Sequence, residues 1–223
     1  MPSAQDFIPA GQPTLPALAE AATGCHGCDL YRDASQTVFG RGPADASVML
    51  VGEQPGDQED LAGAPFVGPA GKILDDALRA AGVDRSRTYV TNAVKHFKFT
   101  RSQYGPRRIH QTPGATEIVA CRPWLLAEMA LVRPRVLVLL GATAGKALLG
   151  STFTVNRNRG TLIRWPAGAP ADVSAIRLLA TIHPSAVLRA DDQEGAYAGL
   201  VADLSRVPSL LDGPPRTPGT PGT

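Results

Sequence analysis

The chain has 223 residues, of which 43% are hydrophobic, so it is long and apolar enough for one buried domain. Its net charge of +2 excludes a strongly basic or acidic character for the whole protein. It has neither an apolar run of about eighteen residues nor the basic start and apolar core of a signal peptide, so we expect a cytoplasmic protein.

Four runs of strand-like residues alternate with segments of helical periodicity. The strand-like runs are SVMLV (47–51), TYV (88–90), VLVLL (136–140) and LLATI (178–182). The helical segments are residues 13–24, 69–82, 114–134 and 142–150. Strands that alternate with helices form βαβ units around a parallel sheet. We therefore predict an α/β protein with three αβα layers and a central, mainly parallel, four-stranded sheet.

The remaining segments predict how the domain is bounded. We expect a single domain over residues 14–210, preceded by a loose arm over 1–13. Residues 153–166 interrupt the alternation and predict a hairpin or an edge excursion around Gly160. The tail, residues 211–223, is rich in Pro, Gly and Thr and is predicted to be disordered.

Polar or glycine-rich motifs follow all four strand-like runs. They are Gly52-Glu53-Gln54-Pro55-Gly56, Thr91-Asn92, Gly141-Ala142-Thr143 and His183-Pro184-Ser185. In an open parallel sheet the ligand crevice lies beyond the carboxyl ends of the strands. The motifs would therefore bring a carboxylate, two carboxamides and an imidazole to one edge, which predicts a binding or catalytic site.

Two residues near these motifs could recognise a planar pyrimidine. The carboxamide of Asn92 can both donate and accept hydrogen bonds, and Phe66 in GAPFVGPAG could stack on the ring. Simpler interpretations exist for single residues, since Glu53 could be a solvated loop residue and His183 a structural histidine. The position of His183 at a strand end, before a Pro-Ser turn, favours a functional site.

A basic segment lies between Arg85 and Gly114, where no acidic residue occurs. Its basic residues are Arg85, Arg87, Lys95, Lys98, Arg101, Arg107 and Arg108, and its interleaved aromatic residues are Tyr89, Phe97, Phe99 and Tyr104. Positive charge binds phosphates and aromatic rings stack on bases. The segment therefore indicates nucleic-acid binding, although a solvated basic face would have the same composition.

The three cysteines suggest a metal site. Cys25 and Cys28 form a C-x-x-C pair, and Cys121 is distant in sequence. A C-x-x-C pair alone is also typical of a redox site or half of a zinc site. Together with His96 it gives a Cys₃His set, which is common for zinc. In a cytoplasmic protein such a set favours a metal over a disulfide.

Three segments together resemble the iron–sulfur branch of the uracil-DNA glycosylase superfamily. Residues 52–78 resemble its GEGPG…GxPFVGxAG segment, TNAVKH (91–96) resembles its NVVKC, and HPSAVLR (183–189) resembles its HPSxLLR. These motifs occur in the family's order, and the resemblance extends from about residue 25 to 205.

The resemblance implies a role for each residue of the strand-end site. Phe66 would stack on uracil, Asn92 would read its Watson–Crick edge, and Gly52 would also belong to the uracil-binding site. His183 would stabilise negative charge on the uracil O2, and Glu53 would stabilise the cationic sugar. The implied partner is uracil-containing DNA, preferentially single-stranded, with free uracil as product and the protein a monomer. Implied DNA contacts come from Lys95, Arg107, Arg108, Ser185 and Arg189.

The resemblance also implies a cofactor, with one departure from the family. Cys25, Cys28 and Cys121 match three of four ligands of a [4Fe-4S] cluster, and His96 stands where the branch has its other cysteine. The resemblance therefore favours a structural [4Fe-4S] cluster with His96 as the fourth ligand, whereas ligand chemistry alone favours zinc.

A second departure concerns the mechanism. Residues 107–110, Arg-Arg-Ile-His, resemble the K-R-R-I-H loop of the UdgX-type subgroup, in which the loop histidine bonds covalently to the abasic sugar. The matching nucleophile is His110, and Pro106 replaces the subgroup's lysine. Gln54 stands where the conventional branch has a water-activating Asp and is counted among the catalytic-site candidates, although a carboxamide is not a base.

Three functions are consistent with the sequence. The first is a single-turnover protein that excises uracil and becomes linked to DNA through His110. The second is a conventional multiple-turnover glycosylase in which the loop only holds DNA. The third is a non-catalytic, metal-containing DNA-binding module. A dinucleotide-binding domain is disfavoured because no G-x-G-x-x-G opens the first helix of the sheet.

Overall fold

The computed structural model describes residues 3–212. Its strands are β1 (Val48–Gly52), β2 (Thr88–Asn92), β3 (Phe99–Arg101), β4 (Arg108–His110), β5 (Val136–Leu140), β6 (Leu162–Ile163) and β7 (Arg177–Thr181). Its α-helices are α1 (Leu15–Thr23), α2 (Asp57–Ala62), α3 (Pro69–Ala80), α4 (Ala115–Val132), α5 (Ala142–Leu149), α6 (Val155–Asn158), α7 (Ala171–Ser174), α8 (Pro184–Arg189), α9 (Gln193–Leu204) and α10 (Arg206–Asp212).

The central sheet has five strands rather than the four predicted. Their order is β2-β1-β5-β7-β6. The first four strands are parallel, and β6 pairs with β7 in the antiparallel direction through only two residue pairs. The additional strand comes from residues 153–166, where an edge excursion was predicted. Strands β3 and β4 form a separate antiparallel hairpin.

Alternation along the buried strands divides the core into two layers, which confirms the three-layer prediction. On β1, Met49 and Val51 face a cluster that includes side chains of α1, α4 and α5. Val48 and Leu50 face a second cluster with side chains of α3, α9 and α10. Successive side chains of a strand point to opposite faces, so a strand buried on both faces is apolar throughout.

Both predicted chain ends differ from the structure where it describes them. Residues Ala4–Phe7 form a 3₁₀ turn that packs against α4, and Ala4 is only 1% exposed, so this part of the arm is not loose. Helix α10 extends to Asp212, beyond the predicted domain boundary. The rest of the predicted disordered tail lies outside the described residues. Among residues 3–212, no helix combines the length and apolarity needed to cross a membrane.

Candidate active site

The carboxyl ends of β1, β2, β5 and β7 meet at one edge of the sheet, as predicted. Two adjoining cavities of about 730 and 350 Å³ lie there. Both are lined by Gln54, Asp57, His110, His183, Ser185 and Arg189. The larger also contains Glu53, and the smaller contains Phe66 and Asn92. The predicted catalytic and base-binding residues are therefore brought together.

The smaller cavity has the features of a pocket for a planar ring. A Cβ atom placed on Gly52 would lie 2.3 Å from Asn92 Oδ1 and 2.7 Å from the Phe66 ring, so glycine is required there. Asn92 is buried, and the rings of Phe66 and His183 are nearly parallel with their centroids 6.0 Å apart. Phe66 has a φ of +57°, a strained conformation that is concentrated at functional sites.

His183 is held as one neutral tautomer. The Ser185 backbone amide donates to His183 Nδ1 at 3.2 Å, and the Ser185 hydroxyl lies 2.8 Å from the same atom. An amide can only donate, so Nδ1 is the acceptor and the proton resides on Nε2. Desolvation, together with the charges of Arg189 and His110, lowers the pKa of His183 to about 4. At neutral pH, His183 therefore presents a neutral Nε2–H donor.

Glu53 and His110 form a close pair within the larger cavity. His110 Nε2 lies 3.3 Å from Glu53 Oε1. The other carboxylate oxygen, Oε2, accepts a hydrogen bond from Thr143 Oγ1. The imidazole of His110 is about half exposed, so solvent reaches it within the cavity. The arrangement places a potential nucleophile next to a potential proton acceptor.

Gln54, a predicted catalytic-site residue, forms hydrogen bonds within the protein. Its Nε2 donates to the carbonyls of Lys98 and Gln111 at 3.1 and 3.0 Å, and its Oε1 accepts from the Lys98 amide. Lys98 precedes β3 and Gln111 follows β4. The Gln54 carboxamide therefore ties both ends of the hairpin that carries His110 to the turn after β1, and its polar atoms are used there.

Arg108 was predicted to contact DNA, but its guanidinium is engaged within the protein. It contacts Asp57 Oδ1 and Asp60 Oδ2, both at 2.5 Å, and the side chain is only 11% exposed. It also lies over the rings of Phe97 and Phe99, at 5.3 and 5.0 Å from their centroids. Arg108 thus anchors the β3–β4 hairpin to α2 through these two carboxylates.

Lys95, also a predicted DNA contact, is directed into the protein. Its side chain is fully buried, and Nζ donates to Glu128 Oε2, Thr91 Oγ1 and the Asn92 carbonyl at 2.6, 2.6 and 2.8 Å. These three acceptors use all three ammonium hydrogens. Lys95 therefore supports the end of β2 from inside the protein.

The remaining predicted DNA contacts lie at the surface or the rim of the cavities. Arg107 and Arg189 are exposed and line the larger cavity, where they could meet phosphates. The Ser185 hydroxyl is directed to His183 instead. Among the predicted DNA contacts, Arg107 and Arg189 are thus the two that are exposed and basic.

The three cysteines lie near one another beside α1 and α4. Burial is the main reason that the pKa of Cys121 is raised to about 12; Lys95 opposes this shift, and the charges of Cys28 and Cys25 contribute to it. Trp124 Nε1 donates to Cys25 Sγ at 3.3 Å, and the Lys95 amide donates to Cys121 Sγ at 3.2 Å. Such N–H donors are typical of the surroundings of thiolate ligands.

His96 is buried as a neutral imidazole. Burial lowers its pKa to about 4, which leaves the form that binds metals. The Thr37 hydroxyl donates to the Ala22 carbonyl at 2.8 Å and lies 2.9 Å from His96 Nε2. Because the hydroxyl has one hydrogen, it accepts from Nε2–H, and the lone pair of His96 lies on Nδ1.

The donor chemistry of this set fits a metal centre. Thiols with N–H donors and a neutral imidazole are suitable ligands for zinc or an iron–sulfur cluster. Within residues 3–212, however, no group of three or more His, Cys, Asp or Glu side chains has the geometry of a formed metal site. The ligand assignment of Cys25, Cys28, His96 and Cys121 therefore stays a prediction.

A further cavity of about 630 Å³ lies at the opposite edge of the sheet, before β5 and β7. Its lining is mainly apolar and includes Leu126, Met129 and Trp165. Asp172 is the carboxylate among its lining residues, and no histidine accompanies it. This cavity lacks the acid–base and base-reading groups found at the carboxyl edge.

Sequence reasoning missed several residues that hold the site together. Thr143 was noticed only as part of a strand-end motif, and Glu128 was not noticed because it lies within an apolar helix. Asp57 and Asp60 follow the first motif closely, but the sequence did not identify them as partners of Arg108. The sequence feature that could have indicated this pairing is the cluster of acidic residues at the start of α2, since the segment from residue 85 to 114 contains only basic charges.

Comparisons with known proteins agree with this geometry. Residues 39–205 match the model of the uracil DNA glycosylase superfamily. The chain is 35% identical to a type-4 uracil-DNA glycosylase of Thermotoga maritima over 173 residues, 77% of this chain and 82% of that protein. It is also 35% identical to a type-4 uracil-DNA glycosylase of Pyrobaculum aerophilum over 184 residues, 82% of this chain and 89% of that protein. The chain belongs to the uracil-DNA glycosylase superfamily.

Proposed function

We propose that this protein excises uracil from DNA and then becomes covalently linked, through His110, to C1′ of the resulting abasic sugar. The observation that carries the proposal is the pairing of His110 Nε2 with Glu53 Oε1 at 3.3 Å, inside the cavity that also contains His183. The type-4 uracil-DNA glycosylases that it resembles support the excision step.

The pocket residues account for excision. Phe66 offers a stacking surface, and the Asn92 carboxamide can pair with the Watson–Crick edge of uracil. The neutral His183 Nε2–H donates to the uracil O2 as the C1′–N1 bond breaks and its electron pair passes to the base. Because His183 already lacks a positive charge at neutral pH, it acts by donating a hydrogen bond.

His110 accounts for the covalent step. Loss of uracil leaves an electrophilic C1′, and a ring nitrogen of His110 supplies its lone pair to form the N–C1′ bond. The ring proton passes to Glu53, which is in contact with the imidazole. A group held within reach competes with water through its high effective concentration. The bond is not hydrolysed in a later step, so each protein molecule acts once.

The anchored hairpin supports capture over turnover. Gln54 holds both ends of the hairpin, and Arg108 holds β4 against α2. His110 is therefore positioned before DNA binds. We further propose a preference for single-stranded DNA, since extrusion of a nucleotide costs least where the base is not paired.

We also propose that Cys25, Cys28, Cys121 and His96 hold a [4Fe-4S] cluster. The bound group would link the turn after α1, the segment after β2 and helix α4. Its role is structural, since these residues lie outside the two cavities of the active site. Iron and acid-labile sulfide in the purified protein, with absorbance in the visible range, would support the cluster, whereas stoichiometric zinc would contradict it.

Covalent capture is tested with an end-labelled single-stranded oligonucleotide that contains one uracil. After incubation and boiling in detergent, a denaturing gel should show a band with the combined mass of protein and DNA. A thymine oligonucleotide is the control and should give no such band. His110→Gly and His110→Ser should abolish the band, and alkali-labile abasic product should accumulate instead.

Other outcomes would identify another function. Alkali-labile product without a covalent band would indicate a conventional multiple-turnover glycosylase. Neither product nor band would indicate a DNA-binding module. A covalent band that persists in both His110 variants would show that another residue is the nucleophile.

A further inference from the structure

The turn Gly141-Ala142-Thr143 follows β5. It brings the Thr143 hydroxyl to Oε2 of Glu53, the carboxylate oxygen that is not paired with His110. Thr143 Oγ1 donates to Glu53 Oε2, and Thr143 is only 4% exposed. A carboxylate can only accept, so the direction of this hydrogen bond is fixed. The other oxygen, Oε1, faces His110 Nε2. Each oxygen of Glu53 is thus held by a side chain from a different element.

The backbone of this turn is adapted to its position. Gly141 has a φ of +92°, and a Cβ atom there would lie 3.1 Å from Cβ of His183. Both observations favour glycine, because other residues rarely adopt this conformation and would crowd the catalytic histidine. The turn therefore passes close to His183 and starts α5 with the Thr143 hydroxyl directed at Glu53.

We propose that Thr143 is a positioning residue for covalent capture, and that its hydroxyl orients Glu53 so that Oε1 faces His110. This inference rests on the proposed function of His110. Without the hydroxyl, the partly exposed Glu53 carboxylate can rotate, and His110 loses the group that receives its proton. Base binding depends mainly on Phe66, Asn92 and His183, and the negative charge with which Glu53 would stabilise the cationic sugar is kept. Capture should therefore be affected more than excision.

The test compares Thr143→Val, which keeps the shape but removes the hydroxyl, with Thr143→Ser, which keeps the hydroxyl. Thr143→Ala provides a second hydroxyl-free variant in case valine disturbs folding. The exposed residue Thr161 supplies a matched control, Thr161→Val. For each protein, uracil release and covalent adduct are measured under single-turnover conditions, and thermal unfolding verifies the fold.

We expect Thr143→Val and Thr143→Ala to lower the ratio of covalent adduct to free abasic product about tenfold, as is typical when a hydrogen bond to a charged group is lost. Thr143→Ser should restore most of the ratio, and Thr161→Val should leave it unchanged. An unchanged ratio in both hydroxyl-free variants, or no rescue by serine, would overturn the inference. Absence of adduct with the unaltered protein would instead overturn the proposed function.

Discussion

Single residues in this site act through a fixed protonation state and a fixed orientation. His183 shows this most clearly, because the Ser185 amide assigns its tautomer and desolvation keeps it neutral. In the proposed function, this neutral donor would stabilise the departing uracil anion at neutral pH without first taking up a proton. The lowered pKa that keeps His183 neutral also makes the stability of the fold depend on pH.

Folding should become less favourable in mild acid because of His183. Its pKa is about 4 in the folded protein and about 6.5 when unfolded, so the unfolded chain binds more protons between these values. Its contribution is full above pH 6.5 and is lost as the pH falls towards 4. Between pH 7 and pH 5, the unaltered protein should lose on the order of 2 kcal/mol more unfolding free energy than His183→Gln. Urea unfolding measures this, and equal losses would contradict it.

At the scale of elements, the β3–β4 hairpin is a small sheet that has almost no core of its own. It is held in place by Gln54 at its base and by Arg108 on β4. The two consecutive arginines of this hairpin therefore have opposite roles. Arg108 turns inward to two carboxylates, whereas Arg107 is exposed at the cavity rim.

The two arginines provide a matched comparison. Arg108→Gln leaves the buried Asp60 carboxylate without its cation and should cost about 3 kcal/mol of unfolding free energy. It should also reduce covalent adduct, because His110 is no longer held. Arg107→Gln should change stability by less than about 0.5 kcal/mol. It should instead weaken DNA binding and reduce the slope of log affinity against log salt by about one.

Denaturant unfolding and salt-dependent binding of an oligonucleotide distinguish these effects. A stable Arg108→Gln protein with normal adduct formation would show that the hairpin does not depend on this anchor. A loss of stability in Arg107→Gln would likewise contradict the assignment of Arg107 to the surface.

Across the whole molecule, one buried ion pair joins the cysteine site to the base pocket. Lys95 donates through its amide to Cys121 and through Nζ to the Asn92 carbonyl. Glu128 lies on the same helix as Cys121 and accepts hydrogen bonds from Lys95, Thr91, Tyr89 and the Gly40 amide. The position of Asn92 is therefore linked to the packing of α4.

Removal of one charge of the Lys95–Glu128 pair should lower the free energy of unfolding more than removal of both charges. Lys95→Met leaves Glu128 as a buried, uncompensated carboxylate and should cost about 3 to 5 kcal/mol of unfolding free energy. In Lys95→Met with Glu128→Gln, the amide oxygen can still accept from Tyr89 and Gly40, so much of this loss should be recovered. The exposed pair Arg79–Asp76 is the control, and Arg79→Met should cost less than about 1 kcal/mol.

Chemical denaturation of the four proteins measures these differences. If the double variant were no more stable than Lys95→Met, the cost would come from lost packing rather than from the unpaired charge. If the Lys95→Met protein were as stable as the unaltered one, the buried pair would contribute nothing to the fold.

Much of the architecture and of the site could be predicted from local signals. The apolar runs and helical periods predicted the four parallel strands and helices α1, α3, α4 and α5, and the strand-end motifs predicted which residues would share the cavity. Helix α9 was not predicted. Residues 162–163 were not predicted as part of the central sheet. Their pairing with β7 depends on contacts across the fold rather than on strand-like composition.

Sequence alone determined the βαβ order, the site at the carboxyl edge and the chemical groups delivered to it, because periodicity and strand-end position are local properties. Only the tertiary structure decided which of these side chains line the cavities and which are bound within the protein. Lys95, Arg108 and Gln54 all appeared in motifs that suggested function, yet their polar atoms are bound by Glu128, by Asp57 and Asp60, and by the hairpin backbone. Buried charges and amides require partners, and those partners come from distant parts of the chain.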